Sequence, residues 1–85
     1  MRNNATITVK TWDGQQRAIH NAELRAELDQ GENVFFKIEG KHEDDIFMIY
    51  YDYNREKATA EYNQLTNRLL RAQERWLEQY VDKYR

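Results

Sequence analysis

Eighty-five residues allow one domain with a single modest core, and 40% hydrophobic with 33% charged residues is the composition of a folded domain, not a disordered tail. The absence of cysteine and serine excludes disulfides, thiolate metal sites and the commonest thiol and hydroxyl nucleophiles. The net charge of −2 is unevenly spread: residues 1–22 carry +2, residues 23–53 carry −6 and residues 54–85 carry +2, which makes the middle of the chain a candidate acidic surface.

The N-terminal stretch MRNNATITVK has no apolar segment of the kind a secretory signal requires. No run approaches the roughly 20 apolar residues of a membrane span. The expected setting is therefore cytoplasmic, with no membrane partner.

Asp13-Gly14 between TITVKTW and QQRAIH signals a hairpin. NAELRAELDQG reads as a short helix, with Asn21 as N-cap, Leu24 and Leu28 four apart on one face, and Gly31 in the left-handed position that ends it. NVFFKIEG follows as a strand with Val34, Phe36 and Ile38 on one face and Phe35, Lys37 and Glu39 on the other. The polar loop GKHEDD then turns the chain into IFMIYYDY, a second strand that should pair antiparallel with the first. The order β-β-α-β-β-α predicts a single α+β domain over residues 1–85: a small antiparallel sheet with a short helix and a long C-terminal helix packed on one face.

IFMIYYDY is apolar on both sides. Strict alternation places Ile46, Met48 and Tyr50 on one face and Phe47, Ile49, Tyr51 and Tyr53 on the other. One set covers the core; the other, extended by Phe35 and Trp12, is a candidate contact surface. Together with Glu43, Asp44 and Asp45 of the preceding loop, Phe47, Tyr51 and Tyr53 form the acidic and aromatic surface expected to bind a protein partner.

The last helix is expected over residues 55–84, capped by Asn54 and free of glycine and proline. Ala58, Tyr62, Leu65, Leu69, Ala72, Trp76 and Tyr80 fall on one stripe at 100° per residue. Roughly 30 residues span about 45 Å at 1.5 Å each, more than a small sheet covers. The overhang carries Trp76, Leu77, Tyr80, Val81 and Tyr84, which points to self-association as a homodimer. Beside it Arg68, Arg71 and Arg75 form a basic row, the basis of an alternative reading as a dimeric regulatory nucleic-acid-binding protein.

Metal chemistry has little support: His42, Glu43, Asp44 and Asp45 are consecutive and cannot all converge on one ion, and the spacing is not that of a calcium loop. With three glycines there is no phosphate-cradling loop. The expectation is a non-enzyme without metal or cofactor: an inhibitor or adaptor, of a size common among accessory products of phages and mobile elements.

Overall fold

A computed structural model describes residues 5–83, apart from the side chains of Tyr80, Asp82 and Lys83. Five strands precede one helix: β1 (Ile7–Lys10), β2 (Gln16–Ile19), β3 (Asn21–Leu28), β4 (Val34–His42), β5 (Asp45–Asp52) and α1 (Arg55–Lys83). β1 and β2 form a two-stranded antiparallel sheet, and β3, β4 and β5 form a three-stranded antiparallel meander. The α+β class and the long C-terminal helix are as expected. The single sheet and the short helix are not.

The predicted helix at residues 21–31 is strand β3. A spacing of four is a multiple of two, so Leu24 and Leu28 share a strand face as readily as a helix face. Ala22, Leu24, Ala26 and Leu28 alternate with Asn21, Glu23, Arg25 and Glu27, and the ladder sets Ala22 opposite Gly40, Leu24 opposite Ile38 and Ala26 opposite Phe36. The charged alternates meet Lys41, Glu39 and Lys37 on the other face. Arg25 pairs with Glu23 and Glu39 at 2.9 and 3.1 Å, Lys37 with Glu27 at 2.7 Å, and Lys41 with Glu23 at 2.8 Å. Asn21 caps no helix. Gly31 is not the left-handed residue of the β3–β4 turn; Glu32 is, at φ 64°. That turn is built on Asp29, whose Oδ1 accepts the backbone N–H groups of Gly31 and Asn33, each at 2.9 Å.

The Asp13-Gly14 hairpin is present, with a wider loop than a two-residue turn. Lys10 pairs with Gln16, Gly14 takes φ 85°, and the Thr11 N–H donates to the Gln15 carbonyl at 2.7 Å while the Thr11 hydroxyl donates to the Asp13 carboxylate. The connection between β4 and β5 is tighter than GKHEDD suggests. Gly40 lies within β4, His42 pairs with Asp45, and Glu43 and Asp44 alone make the turn, with Glu43 at φ 57°.

Hairpin and meander meet at that glycine. A β-carbon on Gly40 would stand 2.8 Å from Ile19 Cγ2 and 2.8 Å from Ile49 Cδ1, so only a bare backbone lets β2 pack this closely. Ile19 is fully buried there. With Val9, Ala22, Ile38, Leu65 and Leu69 it forms the core, onto which Leu24, Phe47, Ile49, Tyr50 and Tyr62 pack.

α1 starts at Asn54, whose Oδ1 accepts the Lys57 N–H at 3.1 Å, an N-cap bond that satisfies one of the first-turn amides. Ala58, Leu65 and Leu69 are its buried positions. Its 29 residues run about 43 Å at 1.5 Å each. The last 14 follow Leu69 and extend beyond the core, in a molecule measuring 57 × 24 × 22 Å.

In chemical denaturation, Leu69→Ala is expected to cost about 2–4 kcal/mol, the range for truncating a buried leucine. Gly40→Ala should cost about 1–3 kcal/mol by forcing Ile19 and Ile49 aside. Asp44→Ala should cost under about 0.5 kcal/mol, as surface changes usually do. An Asp44→Ala loss as large as that of Leu69→Ala would make the turn a structural site.

Candidate protein-docking site

The face of the meander away from the core is the molecule's most distinctive surface. Register decides which aromatic groups reach it. Ile38 pairs with Tyr50, yet Glu39 pairs with Met48, so Ile49 is an extra residue on β5. This bulge reverses the alternation midway along IFMIYYDY. Phe47 and Tyr50 both lie on the core face, opposite Gly40 and Ile38, while Met48 and Tyr51 both lie on the outer face, opposite Glu39 and Lys37. Neither set of strict alternates survives intact.

On the outer face Phe35 sits edge-on to Tyr51, with ring centroids 6.2 Å apart and planes at 80°, and tilted against Tyr53 at 5.8 Å and 51°. Trp12 joins them from the β1–β2 loop, its backbone N–H donating to the Met48 carbonyl at 3.4 Å across the edge of β5. These side chains, with Met48, Lys37, Glu27 and Asp29, line an open hollow of about 500 Å³. Trp12 is 62% exposed, Tyr53 53% and Tyr51 49%, so solvent reaches rings large enough to anchor a contact.

Tyr51 and Tyr53 of the expected surface are therefore in the hollow, joined by Phe35 and Trp12. Phe47 is not: it is half-buried against the core, with the Arg17 guanidinium 5.2 Å over its ring. Glu43, Asp44 and Asp45 are exposed, but at the far end of β5, about 20 Å from Tyr51 at 3.3 Å per residue. The carboxylates beside the aromatic rings are Glu27 and Asp29, which the helical reading of residues 21–31 kept from view.

The acidic excess of residues 23–53 is also smaller at this surface than the composition suggests. Arg25, Lys37 and Lys41 are matched there by Glu23, Glu27 and Glu39, and partly exposed pairs of this kind contribute modestly to stability. Asp29 adds one further negative charge. Bonds from the Asn33 N–H and then from the Tyr53 hydroxyl, at 2.8 Å to Oδ2, hold its carboxyl below the usual aspartate range. Among the described residues no three His, Cys, Asp or Glu side chains are placed to hold a metal ion.

On α1, Arg68 donates to the Thr8 carbonyl at 2.8 Å and so ties the helix to β1. Arg71 and Arg75 are exposed beyond it. Leu77 and Val81 are exposed on the overhang and Trp76 is half-buried; the Tyr80 side chain and Tyr84 lie outside the described residues. Leu70 adds a further exposed apolar group at the start of the overhang.

A raised tyrosine and two lowered carboxylates make stability depend on pH from both sides. Tyr50 donates to Asp52 at 2.8 Å, which with desolvation pushes its hydroxyl from 10.0 up to about 12. Asp52 is held below 3.8, chiefly by the Asn54 N–H, and Glu23 below 4.5, chiefly by Lys41. A raised tyrosine pKa adds stability that is complete below pH 10.0 and lost as pH rises through the folded value of about 12. The lowered carboxylates add stability present above their ordinary values and lost as pH falls through the depressed ones. The melting temperature, followed by circular dichroism, should accordingly hold through the neutral range, then fall in acid and again above pH 10.0, with Tyr50→Phe weakening the alkaline fall. An alkaline fall unchanged in Tyr50→Phe would remove Tyr50 from that account.

No family model matches the chain, and no curated protein or solved structure matches it either.

Proposed function

We propose that the chain is a small non-enzymatic protein-binding module, an inhibitor or adaptor, that docks its partner in the aromatic hollow of the outer sheet face. The observation that carries this reading is the exposure of Trp12, Tyr51 and Tyr53 around one concavity on a strand-built surface. Large aromatic groups on a rigid scaffold are the usual anchors of protein interfaces, since they bury much area while ordering few torsions. The nucleic-acid alternative has less support. The three cations on the outer face are paired with carboxylates, and Arg68 of the helical row is engaged with β1.

Capture from a host lysate on immobilised protein tests the reading. One partner should be retained by wild type and by Asp44→Ala and lost in the double variant Trp12→Ser with Tyr51→Ser. Retention by the double variant, with loss when Glu43, Asp44 and Asp45 are changed to alanine, would move the site to the β4–β5 turn.

Self-association through the overhang of α1 is part of the same proposal, supported by the exposure of Leu70, Leu77 and Val81 at 55%, 43% and 54%. A second copy of the overhang is the simplest cover for it, in a closed two-fold pair. Sedimentation equilibrium at micromolar concentration should give twice the protomer mass of 10.4 kDa, reverting to one protomer with Leu77→Glu and Val81→Glu. A wild-type protomer mass would overturn the pairing.

A further inference from the structure

The hollow combines two kinds of group that rarely share a surface without reason. Its walls are aromatic rings, set at different inclinations by the 80° and 51° contacts that Phe35 makes with Tyr51 and Tyr53. Its rim carries the carboxylates of Glu27 and Asp29, and Lys37 is the one cation among the lining groups. Ring faces are negative by their quadrupole, so a face offered to an occupant of the hollow has the same electrostatic sign as the rim.

Two details sharpen this. The Lys37 ammonium is drawn to Glu27 at 2.7 Å, and its side chain is only 19% exposed, so its charge is held by the rim and not presented to solvent. Tyr53 donates its hydroxyl proton to Asp29 at 2.8 Å, which enriches its ring in electron density and strengthens the attraction of its face for a cation. Asp29 meanwhile stays ionised, fixed by the two turn amides on its other oxygen.

Resting on the docking proposal above, we infer that the hollow receives a cationic side chain, an arginine or lysine, of the partner protein, stacked against the aromatic rings and balanced by Glu27 and Asp29. An arginine suits the geometry best. Its planar, weakly hydrated guanidinium can lie on one ring face while its N–H groups reach a rim carboxylate, whereas an ammonium keeps more of its water. An apolar plug from the partner would fill the same space but leave the charge of Asp29, which Lys37 does not compensate, without a match.

Small probes separate these occupants. In ¹H–¹⁵N spectra of the full chain, N-acetyl-arginine amide should shift the Trp12 indole N–H saturably, the indole being assigned with Trp76→Phe. It should bind about tenfold more tightly than N-acetyl-norleucine amide, a neutral probe of similar length, as stacking of a partly desolvated cation implies. Glu27→Gln should reduce that preference, and Tyr51→Leu, which keeps an apolar wall but removes a ring face, should reduce it further. Equal or tighter binding of the norleucine probe would overturn the inference in favour of an apolar plug, and so would an indole unmoved by the arginine probe. If a partner is still lost with Trp12→Ser and Tyr51→Ser while the probes show no cation preference, the docking site stands and only its chemistry falls. If the arginine probe binds as expected but no partner depends on Trp12 and Tyr51, the docking proposal falls and the inference with it, leaving a small-cation site.

Discussion

The contact of Ile19 with Gly40 is the constraint on which the rest of the architecture depends. No strand ladder joins the hairpin to the meander. One residue, His20, separates β2 from β3, and its N–H continues the β3–β4 ladder by donating to the Lys41 carbonyl at 2.9 Å. What brings the two sheets into one body is a branched side chain resting on backbone that has no side chain of its own. Val9 and Ile19 from the hairpin then join Ala22 and Ile38 from the meander as one continuous floor, and Leu65 and Leu69 of α1 span it. A helix laid over two surfaces at different heights would bury one at the expense of the other.

The bulge at Ile49 has a comparable reach on the opposite side. It lets a strand that is apolar almost throughout serve two surfaces, giving Phe47, Ile49 and Tyr50 to the core and Met48 and Tyr51 to the hollow. Trp12, meeting Met48 at the rim of β5, covers part of an edge that would otherwise offer open backbone groups. The same few residues thus link the hairpin loop, the sheet edge and the candidate docking surface.

Local patterns were legible where one period alone explained them. α1 declares itself through length, lack of breakers and the Asn54 cap, and its buried Ala58, Leu65 and Leu69 all lie on the expected stripe. β4 and its antiparallel partner follow from alternation and a short polar connection. Residues 21–28 were ambiguous because leucines four apart satisfy both periods. What distinguishes them is the partner row of Lys37, Glu39 and Lys41, which no local window contains. That ambiguity concealed Glu27 and Asp29, and the bulge, which has no sequence mark, concealed the exchange of Phe47 for Met48. Tyr51, Tyr53, Phe35 and Trp12 were legible as candidate surface aromatics because IFMIYYDY is apolar on both sides and one face alone can cover the core.

β3 is an outer strand of its sheet, and along it Glu23, Arg25 and Glu27 alternate in sign on the face that also carries Lys37, Glu39 and Lys41. β4 sets Glu39 opposite Glu23 and Lys37 opposite Arg25, with the ion pairs formed along the diagonals, so a strand of another chain added at β3 would have to bring side chains that neutralise this row in the same diagonal fashion. An eight-residue rim of this kind discourages unspecific strand addition without a proline or a covering helix, and it lets the aromatic hollow stay open on the same sheet without the sheet itself becoming a seed for aggregation.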